Sequence, residues 1–234
     1  MKVLLSLLLI AGFHLQYVAA ATWYFLRWNT PNSASQFQRF SMQMTVPNLQ
    51  KKGTYYLWPG LQDTANTGVY QSVLDGRSGT WWIGSGWCCS NPNLPWGDGF
   101  NVDAPDVVNI TMTHTPAPNN WTSTVEYGTH TATNTFPLGN KNFNQAILAI
   151  ELTGVTWDFG ELVWENVVMV MNTTSTSWCT KAPENYNSAT KYTSTGGIAT
   201  ISGNEVTCTI EKIVMEGPAT ARLGEGYVIE GDGS

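Results

Sequence analysis

Two side chains in this sequence have the chemistry to act together on a carbonyl. One is Gln71, in the run Gly68–Leu74 (GVYQSVL), and the other is Glu151, near the end of Gln145–Leu152 (QAILAIEL). A glutamate can take a proton from water, and a primary amide can donate a hydrogen bond to an oxyanion as it forms. Other nucleophile chemistry finds little support. His14 falls in the segment expected to be a signal peptide, and neither His114 nor His130 accompanies a Ser or Cys in a nucleophile-elbow pattern. Both read as strand-surface residues. The sequence holds no HExxH, EF-hand loop or phosphate-binding glycine loop, so no metal and no cofactor are expected. The acidic residues are too scattered to mark a paired-carboxylate site.

The elements that must carry the two residues are strands. In Gln145–Leu152, alternation sends Ala146, Leu148, Ile150 and Leu152 to one face and Gln145, Ile147, Ala149 and Glu151 to the other. The first row is uniformly apolar and predicts a core face with Leu148 and Ile150 buried. Gln71 shares a face with Val69 and Val73 by the same parity. Further strands are expected over Phe37–Val46, ended by Pro47, over Thr54–Trp58, closed by Pro59-Gly60, and over Thr80–Trp87. Phe100–Val102, Val107–Thr115, Trp121–Tyr127 and Thr129–Thr135 follow, then Val155–Val170 after a Thr153-Gly154 turn. Asn172–Thr195, rich in Thr, Ser and Asn, predicts a long loop. Ile198–Ile201 and Glu205–Val214 predict a closing hairpin. No stretch keeps a helical period beyond about ten residues. The expectation is an all-β, antiparallel β-sandwich of the jelly-roll kind.

Composition sets the compartment. Met1-Lys2, the apolar run from Val3 to Gly12 and the small residues ending at Ala20 or Ala21 predict a secretory signal peptide over 1–20. One sandwich domain over 21–216 and a Gly-rich tail over 217–234 complete the expected organisation. Charged residues are only 12% of the chain and the net charge is −6. With no basic run, nucleic acid and anionic membranes are not expected partners. Four cysteines, Cys88, Cys89, Cys179 and Cys208, form an even set in a chain expected to be secreted, so disulfides are expected. Three connectivities are open. A ring between Cys88 and Cys89 would be strained, so bridges from this segment to Cys179 and Cys208 are expected at least as readily. Asn109, Asn120 and Asn172 begin glycosylation sequons and are expected at the surface.

Several segments, in order, resemble the glutamic peptidases, the eqolisins. Met44-Thr45-Val46-Pro47 resembles an early family strand, and Tyr56–Leu61 (YLWPGL) resembles its Trp-x-Gly-aliphatic segment. Val69–Val73 resembles the strand bearing the family's catalytic Gln. Thr80-Trp81-Trp82 sits where the family has an aromatic-rich strand. Asn101-Val102 through Ile110 is similar to a family turn between strands. Gln145–Glu151 resembles the strand whose second Glu is catalytic, and Trp157–Asn166 (WDFGELVWEN) resembles a family segment containing Asp-Phe-Gly. The resemblance implies a concanavalin A-like sandwich, a Gln71/Glu151 dyad and an acid-acting peptidase; a monomer is expected. Three positions depart from the family pattern: Gln62 and Ile83 stand where acidic residues are expected, and Ile147 replaces the first Glu of the catalytic strand.

Two further functions compete. Trp58, Trp81, Trp82, Trp87 and Trp96 cluster within a short span, and Trp faces stack on sugar rings; Trp58, Trp81 and Trp82 are the candidate substrate-binding residues among them. A secreted carbohydrate-binding, lectin-like protein and a polysaccharide-degrading enzyme of the same fold are therefore alternatives. The expected partner is a polypeptide substrate or an extracellular glycan.

Overall fold

The fold is known from a computed structural model, which describes residues 20–63, 65 and 67–217. The expected signal segment and the Gly-rich tail lie almost wholly outside those residues. Strands numbered along the chain form two antiparallel sheets. Across the front sheet the order is β12 (Glu184–Asn185), β1 (Ala21–Asn29), β10 (Gln145–Thr153), β3 (Thr54–Gln62), β4 (Val69–Asp75), β5 (Trp81–Cys88) and β6 (Gly99–Val102). Across the back sheet it is β13 (Lys191–Ser194), β15 (Glu205–Glu216), β11 (Leu162–Met171), β2 (Phe37–Thr45), β7 (Val107–Thr115), β8 (Asn120–Tyr127) and β9 (His130–Phe136). A last strand, β14 (Ile198–Ser202), pairs with β15. The all-β sandwich expected from sequence is the fold observed.

Alternation builds the core as expected. Leu148 and Ile150 are fully buried between the sheets, beside Leu57, Leu61 and Leu74 of the same sheet and Phe40, Met44, Ile110 and Trp164 of the other. Removing a side chain as deep as Leu148 by substitution with Ala costs roughly 2–5 kcal/mol in cores of this kind.

Four expectations about elements need correction. Pro59-Gly60 does not close a strand: β3 continues to Gln62. It can do so because the ladder to β4 skips from the Leu57–Leu74 pair to the Gly60–Gln71 pair, leaving a gap where Pro59 has no N–H to donate. The chain from Val155 is not yet strand; β11 begins only at Leu162. The intervening segment buries Trp157 and Phe159 in a stack with ring centroids 5.4 Å apart. Asp158 between them accepts from the Tyr55 hydroxyl at 3.0 Å. The polar stretch Asn172–Thr195 is not one loop. It contains a single helical turn, α1 (Ser177–Thr180), and a 3-10 turn with a short strand on each side, β12, which joins the front sheet, and β13, which joins the back sheet.

The disulfides are the fourth correction. Cys179 of α1 bridges to Cys208 of β15, with Cα atoms 5.6 Å apart, and Cys88 pairs with its neighbour Cys89. No bridge joins the two pairs. Cys179 and Cys208 are buried, Cys208 on β15 of the back sheet, whereas Cys88 ends β5 with its side chain on the outer face of the front sheet. Asn109 is exposed and Asn120 and Asn172 are half-buried, all three on the back sheet or at its end. His114 bonds to Gln38 and Asn119 on the back sheet, and His130 begins β9 in the open.

Candidate functional site

The outer face of the front sheet carries a trough of 1310 Å³, and both Gln71 and Glu151 line it. Strand parity places them there: each is on the opposite side of its strand from the buried leucines and tyrosines of the core. Parity does not fix their separation, which depends on register.

Register sets them apart. Glu151 lies opposite Trp23 on β1 and Tyr56 on β3. Tyr56 lies opposite Asp75 on β4, Asp75 opposite Trp82 on β5, and Trp82 opposite Asn101 on β6. Gln71 belongs to another row, opposite Gly60 on β3 and Gly86 on β5. On β4 it stands four residues from Asp75, the member of the Glu151 row. Four residues along a strand and two strands across amount to about 16 Å between the Gln71 and Glu151 Cα atoms.

The ground between them is occupied. Trp58 points into the trough from β3, opposite Ala149, and is almost fully buried. The six-membered edge of its indole leans over Gly60, beside Gln71, at 2.9 Å from where a Cβ would stand. Its pyrrole edge faces Glu151. Trp58, Val73, Ile147 and Ala149 form an apolar cluster separate from the main core. The two polar side chains thus sit at opposite edges of an apolar floor, with an indole between.

Glu151 is about half-buried. Burial pushes its carboxyl above the usual carboxylate range, and contact with the Trp58 indole N–H opposes that shift. The Trp58 Nε1 atom is itself buried without a well-formed hydrogen bond, so the opposing contact is the weaker influence. Among the described residues no cation pairs with Glu151. Burial of this kind disfavours the charged carboxylate and favours the protonated form.

Other charged groups in the trough are already matched. Arg77 grips Asp75 at 2.6 Å and lies over the Tyr56 ring, 5.2 Å from its centroid. At the β1 edge, Arg27 binds Glu184 at 2.7 Å, which holds the Glu184 carboxyl below the usual range. Beside that pair Tyr186 stacks on Phe25 with centroids 4.4 Å apart, making an aromatic wall.

The three expected binding tryptophans divide. Trp58 and Trp82 line the trough. Trp81 does not: it is 3% exposed, faces the core, and donates from Nε1 to the Pro47 carbonyl at 2.6 Å. Adjacent residues on a strand face opposite ways, so only one of the pair could reach the trough. Trp96, of the tryptophan cluster noted in the sequence, also lines it, as do Trp23, Phe25, Tyr56 and Tyr186, which were not anticipated from sequence.

No family model matches this chain, and no curated protein matches it. The fold does match solved structures. It is a concanavalin-like sandwich of the kind found in eqolisins, and the likeness extends over most of the chain. Two crystal structures of scytalido-glutamic peptidase, one with a peptide-based transition-state analogue and one with a transition-state analogue inhibitor, superpose with a TM-score of 0.52. Sequence identity is 14% and 15%, and the match covers 82% of this chain and 99% of theirs. A third structure, SCP-B of the eqolisin family with the tripeptide Ala-Ile-His, is similar at TM-score 0.46 and 14% identity, covering 82% of this chain and 98% of its own.

Proposed function

We propose that the chain is a secreted, acid-acting hydrolase that lays an extended polypeptide along the trough and uses Glu151 as its proton-transfer group. The observation that carries this reading is a half-buried carboxyl with a raised pKa and, among the described residues, no cationic partner, at the edge of the apolar floor of an aromatic trough. The likeness of the fold to glutamic peptidases supports a polypeptide as the substrate.

The chemistry runs as follows. The Glu151 carboxylate takes a proton from a water whose oxygen attacks the scissile carbonyl carbon. The carbonyl π electrons move onto oxygen. As the tetrahedral centre collapses, the C–N bond breaks and the proton passes from Glu151 to the leaving amine. Gln71 then serves the bound chain as a hydrogen-bonding residue further along the trough, since about 16 Å separates its Cα from that of Glu151. Gln71→Ala therefore raises KM while kcat changes little, the pattern of lost uniform binding. A collapse of kcat in Gln71→Ala would return the amide to the reacting carbonyl and refute this division of roles.

A second reading is a carbohydrate-binding protein without catalysis. The separation of Gln71 from Glu151 favours it, because it leaves Glu151 without that amide at an oxyanion. Acid-pH incubation with a denatured protein decides between the two: fragments support the hydrolase, and an intact substrate with retained glycan binding supports the binding protein.

A further inference from the structure

We propose that the β4–β6 end of the trough is a sugar-ring subsite, with Trp82 and Trp96 as its stacking platforms and Asn101 and the Asp75–Arg77 pair as its hydrogen-bonding flanks. The inference is independent of hydrolysis at Glu151.

The subsite is built from glycines. Gly84 on β5 and Gly99 on β6 stand opposite each other. A Cβ at Gly84 would collide with three adjacent atoms of the six-membered ring of Trp82, and a Cβ at Gly99 with two of that ring's atoms and with the Ile83 carbonyl oxygen. Such contact means that the indole lies with one face down on the sheet, across both strands. Gly86, two residues further along β5, supports Trp96 in the same way. Trp96 arrives from the loop before β6, and that loop is fixed: Gly97 N donates to the Ser85 carbonyl at 2.9 Å and Asp98 N to Asn134 Oδ1 at 2.9 Å. Each ring has one face on the backbone. Trp96 is 40% exposed and Trp82 is half-buried, so both keep surface open to the trough.

Two platforms one glycine step apart, about 6.6 Å along the strand, suit consecutive rings of an extended glycan. The C–H groups of a pyranose face pack on an indole face, and its hydroxyls radiate in the ring plane. Polar groups are therefore needed beside the indole. The register supplies them: Trp82 has Asp75 opposite on one side and Asn101 on the other. Asp75 is held by Arg77, so a carboxylate and a guanidinium are presented together, with donors and acceptors in fixed planes. A peptide side chain would fill a pocket. Flat indoles laid on glycines make a floor without pockets, which favours the sugar.

The test is equilibrium binding by intrinsic Trp fluorescence and calorimetry. The probes are cellohexaose, laminarihexaose and chitohexaose, with a deca-proline peptide as the competing occupant. The expected result is saturable binding of at least one oligosaccharide. That binding is roughly tenfold or more weaker in Trp82→Ala, as for truncation of a central aromatic anchor. It is also weakened in Asn101→Ala, largely retained in Trp82→Phe, and unchanged in Thr124→Ala on the back sheet. Retention in Trp82→Phe guards against mistaking a folding defect for a lost contact. Binding of none of the three sugars, binding insensitive to both Trp82→Ala and Trp96→Ala, or preference for deca-proline would each overturn the subsite. Hydrolysis is read by peptide cleavage and the subsite by sugar binding, so either can fail alone.

Discussion

The Cys179–Cys208 bridge permits a quantitative prediction. It spans 29 residues between α1 and β15 and ties the irregular segment after β11 to the back sheet. Chain-entropy accounting for a loop of that length gives about 3.6 kcal/mol of stabilisation, through restriction of the unfolded chain. In a domain of this size each kcal/mol moves Tm by about 2–4 °C, so Cys179→Ala/Cys208→Ala lowers Tm by roughly 7–14 °C. The Cys88–Cys89 pair encloses almost no chain, and the same accounting gives Cys88→Ser/Cys89→Ser about 1 kcal/mol. Urea denaturation of both double variants beside wild type measures the contrast, with unchanged m-values required for a clean comparison. Equal losses in the two variants, or a larger loss from the adjacent pair, would refute the assignment of the stabilising bridge. Native mass mapping of the disulfides gives the connectivity directly.

Three other outcomes follow from the site. Glu151 has a raised folded-state pKa, so folded protein holds that proton where unfolded protein has released it. The carboxylate's cost to stability is absent below the unfolded pKa and complete above the folded one. Glu151→Gln is therefore the more stable protein at neutral pH, and the difference vanishes towards strongly acidic pH; identical pH–stability curves would contradict this. Glu184 works in the opposite sense, since Arg27 depresses its pKa. Its contribution is present above the unfolded pKa and lost as pH falls through the folded one, but the pair is partly exposed, so Glu184→Gln costs at most ~1 kcal/mol. Trp81→Ala costs about 3–5 kcal/mol as a core truncation, while Trp82→Ala stays within about 1 kcal/mol because that ring lies at the surface; reversed sensitivities in urea would undo the assignment of faces.

Strand parity made the faces legible and left the register hidden. Leu148 and Ile150 were predictable as core because one row of Gln145–Leu152 is wholly apolar. Gln71 and Glu151 were likewise predictable on one face. Their offset was not: it depends on how β3 pairs with β10 and β4, and apolar alternation within a strand does not choose among registers two residues apart. Trp81 and Trp82 were separable in principle. The row Trp82, Gly84, Gly86 is a glycine row that cannot fill a core, while Trp81, Ile83 and Trp87 can. The strand Ala21–Asn29 alternates Tyr24, Leu26, Trp28 against Trp23, Phe25, Arg27, and its closeness to the expected cleavage point masked it. Trp96 and Tyr186 reach the trough from irregular segments, whose paths no periodicity encodes.

The role proposed for Glu151 is proton transfer in an acid-pH hydrolysis. Cleavage of a denatured protein by wild type and Glu151→Gln, side by side from strongly acidic to neutral pH, tests it most directly. Fragments are expected from wild type alone, with activity falling on the acid side as Glu151 becomes protonated, at a pH above the ordinary carboxylate range. Equal cleavage by both proteins, or none by wild type at any pH, would contradict it.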